Sequence, residues 1–342
     1  MAAVAAAGIV ALTKWLRRRI VGRGYADAMR VSRKPAWQAV GLLAAVWAVA
    51  VLSGCAPVSE EPVPEEPASV EPSTAPTWPP TLPTDGNVEE CIQYSMALFG
   101  VEDPEQLTEV DCRGMATLDG IEQLAALPNL TELKFIDNPS LTDFAPLSEL
   151  AGHPTLATLW LVNNPHLSDL TPIAGMTGLT YLEVTDGPLA DLRPLMELTG
   201  LNKLTLAGFG NLTDVSPLAG LTGLTDLGLS RNPAVTDLTP LAGLGGLSRL
   251  LVTESPDLTD VTPLADLTGL IELHLTTNVS LSDLTPLAGL TNLERLYLDG
   301  NTSLTDLSPL SGLTNLTELD LTGSAAQDVS PLAGLEGLFI YQ

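Results

Sequence analysis

Aromatic residues make up only 4% of the 342 residues, five each of Trp, Tyr and Phe. With so few rings and so many leucines, the interior is expected to be built from repeated similar layers instead of one irregular core. Histidine is equally sparse. His153, His166 and His274 stand far apart, and no metal-ligand spacing or Cys/His pairing appears. There is no phosphate loop, no GxSxG and no HExxH. No catalytic group, metal site or cofactor is therefore expected, and the chain does not read as an enzyme. Basic residues are scarce over most of the chain. Eight of the fifteen Lys and Arg precede residue 55, against one acid, Asp27, which leaves seven basic and 40 acidic residues beyond. Such a surface repels phosphate backbones and excludes nucleic acid as a partner.

The N-terminus carries the longest apolar run. Residues 36–52, AWQAVGLLAAVWAVAVL, contain no charge, follow Arg30, Arg33 and Lys34, and end in Leu52-Ser53-Gly54-Cys55. A basic start, an apolar middle and small residues before the cut describe a secretory signal peptide over 29–54, with residues 1–28 an uncertain extension and Met29 an alternative start. The LSGC sequence resembles the lipobox of bacterial lipoproteins. That resemblance implies a lipidated Cys55 as the first residue of the mature chain, anchored to the bacterial cell membrane by its acyl chains. The rival reading is an uncleaved membrane anchor. Both place the remainder outside the cytoplasm, because the basic residues stay inside.

Residues 55–86 form a tether. Of the 31 residues from Ala56 to Gly86, nine are Pro and five are Glu, with no apolar period. Proline blocks helix and sheet and Glu repulsion stretches the chain, so an extended spacer reaching on the order of 90 Å is expected. Residues 87–117 read as a cap. Asn87 to Leu98 can form an amphipathic helix before a degenerate first strand at Leu107 to Cys112. Cys91 and Cys112 could pair in an oxidising compartment, or remain two buried thiols.

From residue 118 to 342 a unit recurs about every 23 residues, as in PLAGLTNLERLYLDGNTSLTDLS from Pro286 to Ser308. Within it, Leu293, Leu296, Leu298 and Asn301 spell LxxLxLxxN, repeated at Leu270, Leu273, Leu275 and Asn278. Leucines alternating with polar residues make a short strand with one buried face. A single unit cannot cover its own leucines, so neighbours must stack. Asn138, Asn164, Asn232, Asn278 and Asn301 suit a hydrogen-bonded ladder beyond the strands, which Gly187, Phe209, Ser255 and Ser324 interrupt. Thr or Ser before Pro, as at Thr239-Pro240 and Ser308-Pro309, reads as a helix cap followed by Pro at the first turn. Glycines at 175, 220, 243, 289, 312 and 334 would let the chain turn back. One Asp per unit, from Asp143 to Asp328, reads either as a hydrogen-bond acceptor for nearby backbone or as a stacked calcium ladder, and one carboxylate per layer argues for the first.

These motifs resemble the leucine-rich repeats, and the TDLxPLxxLTxLxxL phrasing resembles the bacterial internalin type. The resemblance implies an α/β solenoid, a right-handed superhelix with a parallel β-sheet on the concave face and short turns or 3-10 helices on the convex side. Ligands would meet the outward positions of the strands. Two groups stand out there: Ile136, Trp160, Val162 and Tyr181 form an apolar patch, and Arg249, Leu251, His274, Arg295 and Tyr297 a mixed, basic one. A protein ligand is expected, a glycan is the second choice, and a rigid spacer without a ligand is the alternative. The chain stops at Leu338 to Gln342, inside a further strand whose open edge favours association.

Overall fold

The computed structural model describes residues 86–342. The expected signal peptide, Cys55 and the tether up to residue 85 lie outside the described residues. The described part is built on one 11-stranded parallel sheet whose strands pair in sequence order. The strands are β1 (Glu109–Arg113), β2 (Glu132–Ile136), β3 (Thr158–Val162), β4 (Tyr181–Thr185), β5 (Lys203–Ala207), β6 (Asp226–Ser230), β7 (Arg249–Thr253), β8 (Glu272–His274), β9 (Arg295–Tyr297), β10 (Glu318–Asp320) and β11 (Phe339–Tyr341). Short 3-10 turns connect most of them. Register is set by the repeat, so Arg249 pairs with Glu272 and Glu272 with Arg295. Because strand periodicity is two, the LxL leucines all point to one side, and Leu227, Leu229, Leu250, Leu273 and Leu275 are buried. With the leucines of the turns they form a single continuous core. Each fully buried leucine contributes roughly 1.5–3 kcal/mol, which makes stacking the main stabilising term.

Most strands end in a left-handed residue. Asp137, Asn163, Asp186, Arg231, Glu254 and Thr277 have φ between 53° and 60°, and Gly114, Gly208, Gly300 and Gly323 occupy the same place. Their N–H groups still bond across to the next repeat, as from Arg231 to the carbonyl of Thr253 at 2.9 Å. The reversal then turns the following residue inward. That residue is the repeat asparagine, fully buried at 138, 164, 232, 278 and 301. Asn278 accepts from the Ser255 N–H at 2.9 Å and donates to the Val252 carbonyl at 2.7 Å, and Asn301 accepts from the Asn278 N–H at 2.8 Å. The expected interruptions are milder than the sequence suggests. Ser255 still donates its hydroxyl to the Asn232 carbonyl (3.2 Å), and the Phe209 N–H still donates to the Asn232 side chain (2.9 Å). The buried hydroxyl of Ser324 has no hydrogen-bond partner among the described residues.

Two expectations about the return leg are corrected. The Thr and Ser hydroxyls before proline do not cap the turns. The Asp two residues earlier does so, accepting the backbone N–H of Thr171, Thr239 and Ser308 at 2.7–2.8 Å. Proline has no N–H to offer, so the orphan donor at the turn's start belongs to the Thr or Ser, and the Asp reaches it as an Asx turn. Thr171 and Ser308 even donate their hydroxyls to the same Asp. These hydrogen bonds hold carboxyls such as Asp237 and Asp283 below their ordinary range. The turn glycines, for their part, need no special backbone. None of those at 175, 220, 243, 289, 312 and 334 has positive φ; most of the left-handed residues follow the strands instead.

The N-terminal end of the solenoid is covered. Helix α1 (Val88–Phe99) begins at Asn87, whose side chain accepts from the Glu90 N–H, and ends at left-handed Gly100. It buries Val88, Cys91, Ile92 and Ser95. Ser95 Oγ accepts the N–H of Asp111 at 3.0 Å, tying the helix to β1. Cys91 and Cys112 are joined in a disulfide with Cα atoms 5.0 Å apart. A short helix α2 (Glu122–Ala125) follows. At the other end, β11 pairs with β10 at the edge of the sheet, and Phe339 is 70% exposed.

Candidate functional site

The open face of the sheet carries the alternate strand residues, and register brings the sequence-predicted ones into two clusters. On β2–β4, Trp160 and Tyr181 meet with ring centroids 4.8 Å apart and planes tilted by 35°. Trp160 Nε1 donates to Glu132 at 2.9 Å. The Tyr181 hydroxyl donates to Glu183 at 2.6 Å. Glu183 is on the open face, yet only 6% exposed. Burial pushes its carboxyl above the ordinary range, against the hydrogen bond from Tyr181. Burial likewise raises the Tyr181 phenol, with the negative charge of Glu183 adding to the effect. Lys134 bridges Glu109 and Glu132 and lies 5.9 Å from the Trp160 ring centroid. Ile136 is half-buried at the end of β2. Val162 departs from expectation: at 8% exposed it is buried, held in its column between Ile136 and Thr185.

On β7–β9 the centre is Glu272. Arg249 Nε donates to it at 2.8 Å, Arg295 Nε at 2.8 Å, and His274 Nε2 lies 2.6 Å away. The contact with His274 first, then the two guanidinium groups, hold the Glu272 carboxyl far below its usual range. His274 stacks on Tyr297 with centroids 4.2 Å apart. Burial and the neighbouring Glu318 push the Tyr297 phenol up to about 12. Leu251 stands beside His274 in the same row. The two Arg thus converge on one acid, so the cluster is less basic than its sequence implies.

Sequence reasoning missed Glu132, Glu183 and Glu272, the acids that organise both clusters. The signal was present: Arg249, Glu272 and Arg295 fall in one column with alternating charge. Among the described residues, no group of three or more His, Cys, Asp or Glu could hold a metal ion. Cys55 lies outside the described residues.

Residues 291–334 match the family described as leucine-rich repeats (2 copies). This is a leucine-rich-repeat solenoid. Its structure is similar to that of bacterial internalins. An internalin of Listeria monocytogenes, inlF, shares 26% identity over 75% of this chain and 95% of its own, with a TM-score of 0.52. A leucine-rich-repeat protein of Leptospira interrogans, at 20% identity and TM-score 0.57 over 74% of this chain and 68% of its own, shares the fold. No curated protein sequence matches the chain. The leucine-rich-repeat, internalin-like architecture is that of a non-enzymatic binding protein.

Proposed function

We propose that this chain is a lipid-anchored cell-surface protein that binds a protein ligand through the open face of its solenoid. The observation that carries the reading is the Trp160–Tyr181 pair, two half-buried rings in contact on a solvent-facing sheet. Large rings on such a face have no role in the leucine core behind it, and clustered aromatics dominate the energetics of protein interfaces. The internalin-like fold, presenting a broad parallel sheet, supports the same conclusion. Cys55 in its LSGC context supports anchoring outside the cytoplasm.

The test is capture from native surface extracts by the purified full chain, beside the Trp160→Ala/Tyr181→Ala and Arg295→Ala/Tyr297→Ala pairs. A protein retained by wild type and lost with either pair supports the reading. Absence of any retained protein sinks it and leaves a rigid spacer as the better account, and capture unchanged by both pairs sinks it by moving the binding surface off the open face. Saccharide retained in place of protein moves the ligand class to glycan. Anchoring is tested separately by Cys55→Ser, which should abolish acyl labelling and move the chain out of the membrane fraction.

A further inference from the structure

The β2–β4 patch has features that narrow what it can hold. The donors of both rings are already used inside the protein, Trp160 Nε1 on Glu132 and the Tyr181 hydroxyl on Glu183. What faces outward is ring surface without a free N–H or O–H, a poor match to a hydroxyl-rich ligand and a good one to a cation or an apolar group. The charges around the rings do not cancel. Among the open-face residues of β1–β5 stand the acids Glu109, Asp111, Glu132 and Glu183 and the bases Arg113, Lys134 and Lys203, the last paired in register with Tyr181 and 3.8 Å from Asp226 of β6. Arg113 is held by Asp111, and Lys134 by Glu109 and Glu132. Glu183 has as its partner a neutral hydroxyl, that of the aromatic pair itself. Negative charge behind a ring adds to the attraction of its face for cations. A cation already uses this surface, since Lys134 Nζ lies 5.9 Å from the Trp160 centroid.

We propose that the Trp160–Tyr181 surface docks a basic segment of a partner protein, seating an arginine or lysine side chain against the two rings with Glu132 and Glu183 beside them. This rests on the reading of the open face as a binding face and adds the chemistry of its ligand. Charge complementarity extends beyond the patch. Seven basic against 40 acidic residues beyond residue 55 draw a basic partner in from a distance. The rings then decide where it sits. The other cluster competes poorly for it, because Arg249 and Arg295 flank the acid Glu272 there.

The experiment is fluorescence anisotropy on the detergent-solubilised full chain. The probe is a labelled decapeptide of alternating Arg and Gly, with a Glu–Gly decapeptide and a chitin tetrasaccharide as controls. The Arg peptide should bind, weaken as salt rises, and lose about tenfold in affinity in Trp160→Ala, an exchange that alters no charge. Trp160→Phe should retain most of the binding. Equal affinity in wild type and Trp160→Ala overturns the proposal, since only diffuse attraction to an acidic protein would remain. Trp160-dependent binding of the tetrasaccharide without the Arg peptide also overturns it, while leaving the open-face reading standing. Trp160-dependent capture of a surface protein, with no binding of the Arg peptide, does the same.

Discussion

Arg231 reaches past a whole repeat to bond Asp186, with Nη1 2.9 Å from Oδ1. The residue between them in the column is Gly208, and a Cβ there would lie 2.6 Å from the Asp186 carboxylate. The missing side chain is therefore what opens the path. Gly208 also has φ +82, a left-handed backbone that L side chains rarely adopt. Gly208→Ala should displace the carboxylate, break the ion pair and strain the turn, lowering stability by roughly 1–3 kcal/mol. Arg231→Ala, which loses only an exposed pair, should cost less than about 1 kcal/mol. Chemical denaturation of the two variants would show the difference, and equal losses would mean that Gly208 matters only for the pair.

The asparagine column supplies a contrast between two buried polar residues. Asn278 serves the Ser255 N–H and the Val252 carbonyl at once. Asn278→Ala orphans both inside the core and should cost about 2–5 kcal/mol. Ser324 stands at the equivalent place with a buried hydroxyl that has no partner among the described residues. Ser324→Ala should therefore be neutral or stabilising by up to about 1 kcal/mol. Urea midpoints of the two variants measure this directly. A large loss in Ser324→Ala would show that the hydroxyl is bonded after all.

The cap depends on one covalent link. Cys91 and Cys112 are 21 residues apart and tie α1 to β1. Closing a loop of that length destabilises the unfolded chain by about 3 kcal/mol through lost entropy. The Cys91→Ala/Cys112→Ala variant should expose β1 and α1 to amide exchange first, with the central strands following later, because solenoid stability is a sum of neighbour terms. Uniform acceleration of exchange along the whole solenoid would contradict a local cap.

Glu183 and Glu272 lie on the same face and should respond to pH in opposite senses. Burial raises the Glu183 carboxyl, so its folded state holds the proton more tightly than the unfolded one. It costs stability at neutral pH, and the cost is relieved as pH falls through the raised value. Glu183→Gln should thus be neutral or stabilising near neutral pH, with the gain vanishing in acid. For Glu272, hydrogen bonds from His274, Arg249 and Arg295 depress the carboxyl. Its contribution is present above the ordinary carboxylate range and lost as pH falls toward the depressed value. Glu272→Gln should destabilise near neutral pH and progressively less in acid. Thermal melts from about pH 3 to about pH 8 decide it; shifts of the same sign in both variants would contradict the assignment.

The amino-acid sequence alone determined the repeat, the strands, their shared register and the leucine core. Period and alternation are properties of the chain itself, and a fixed period leaves stacking as the way to cover Leu273 or Leu296. It also placed Trp160, Tyr181, Arg249 and Arg295 on the open face, because strand parity is countable. Tertiary structure decided what parity cannot show. Val162 is outward by count but buried among its column neighbours. The sequence already pointed to the repeat Asp as an acceptor for nearby backbone, and the path of the backbone adds that the donor to Asp237 is Thr239 and that the Thr hydroxyl does not cap. Glu183 bonds Tyr181 in a buried setting that stacking creates, and Glu272 gathers two guanidinium groups and an imidazole. The physical reason is the same throughout: residues a full repeat apart become neighbours only once the layers have stacked, and burial, pairing and charge are properties of that stack.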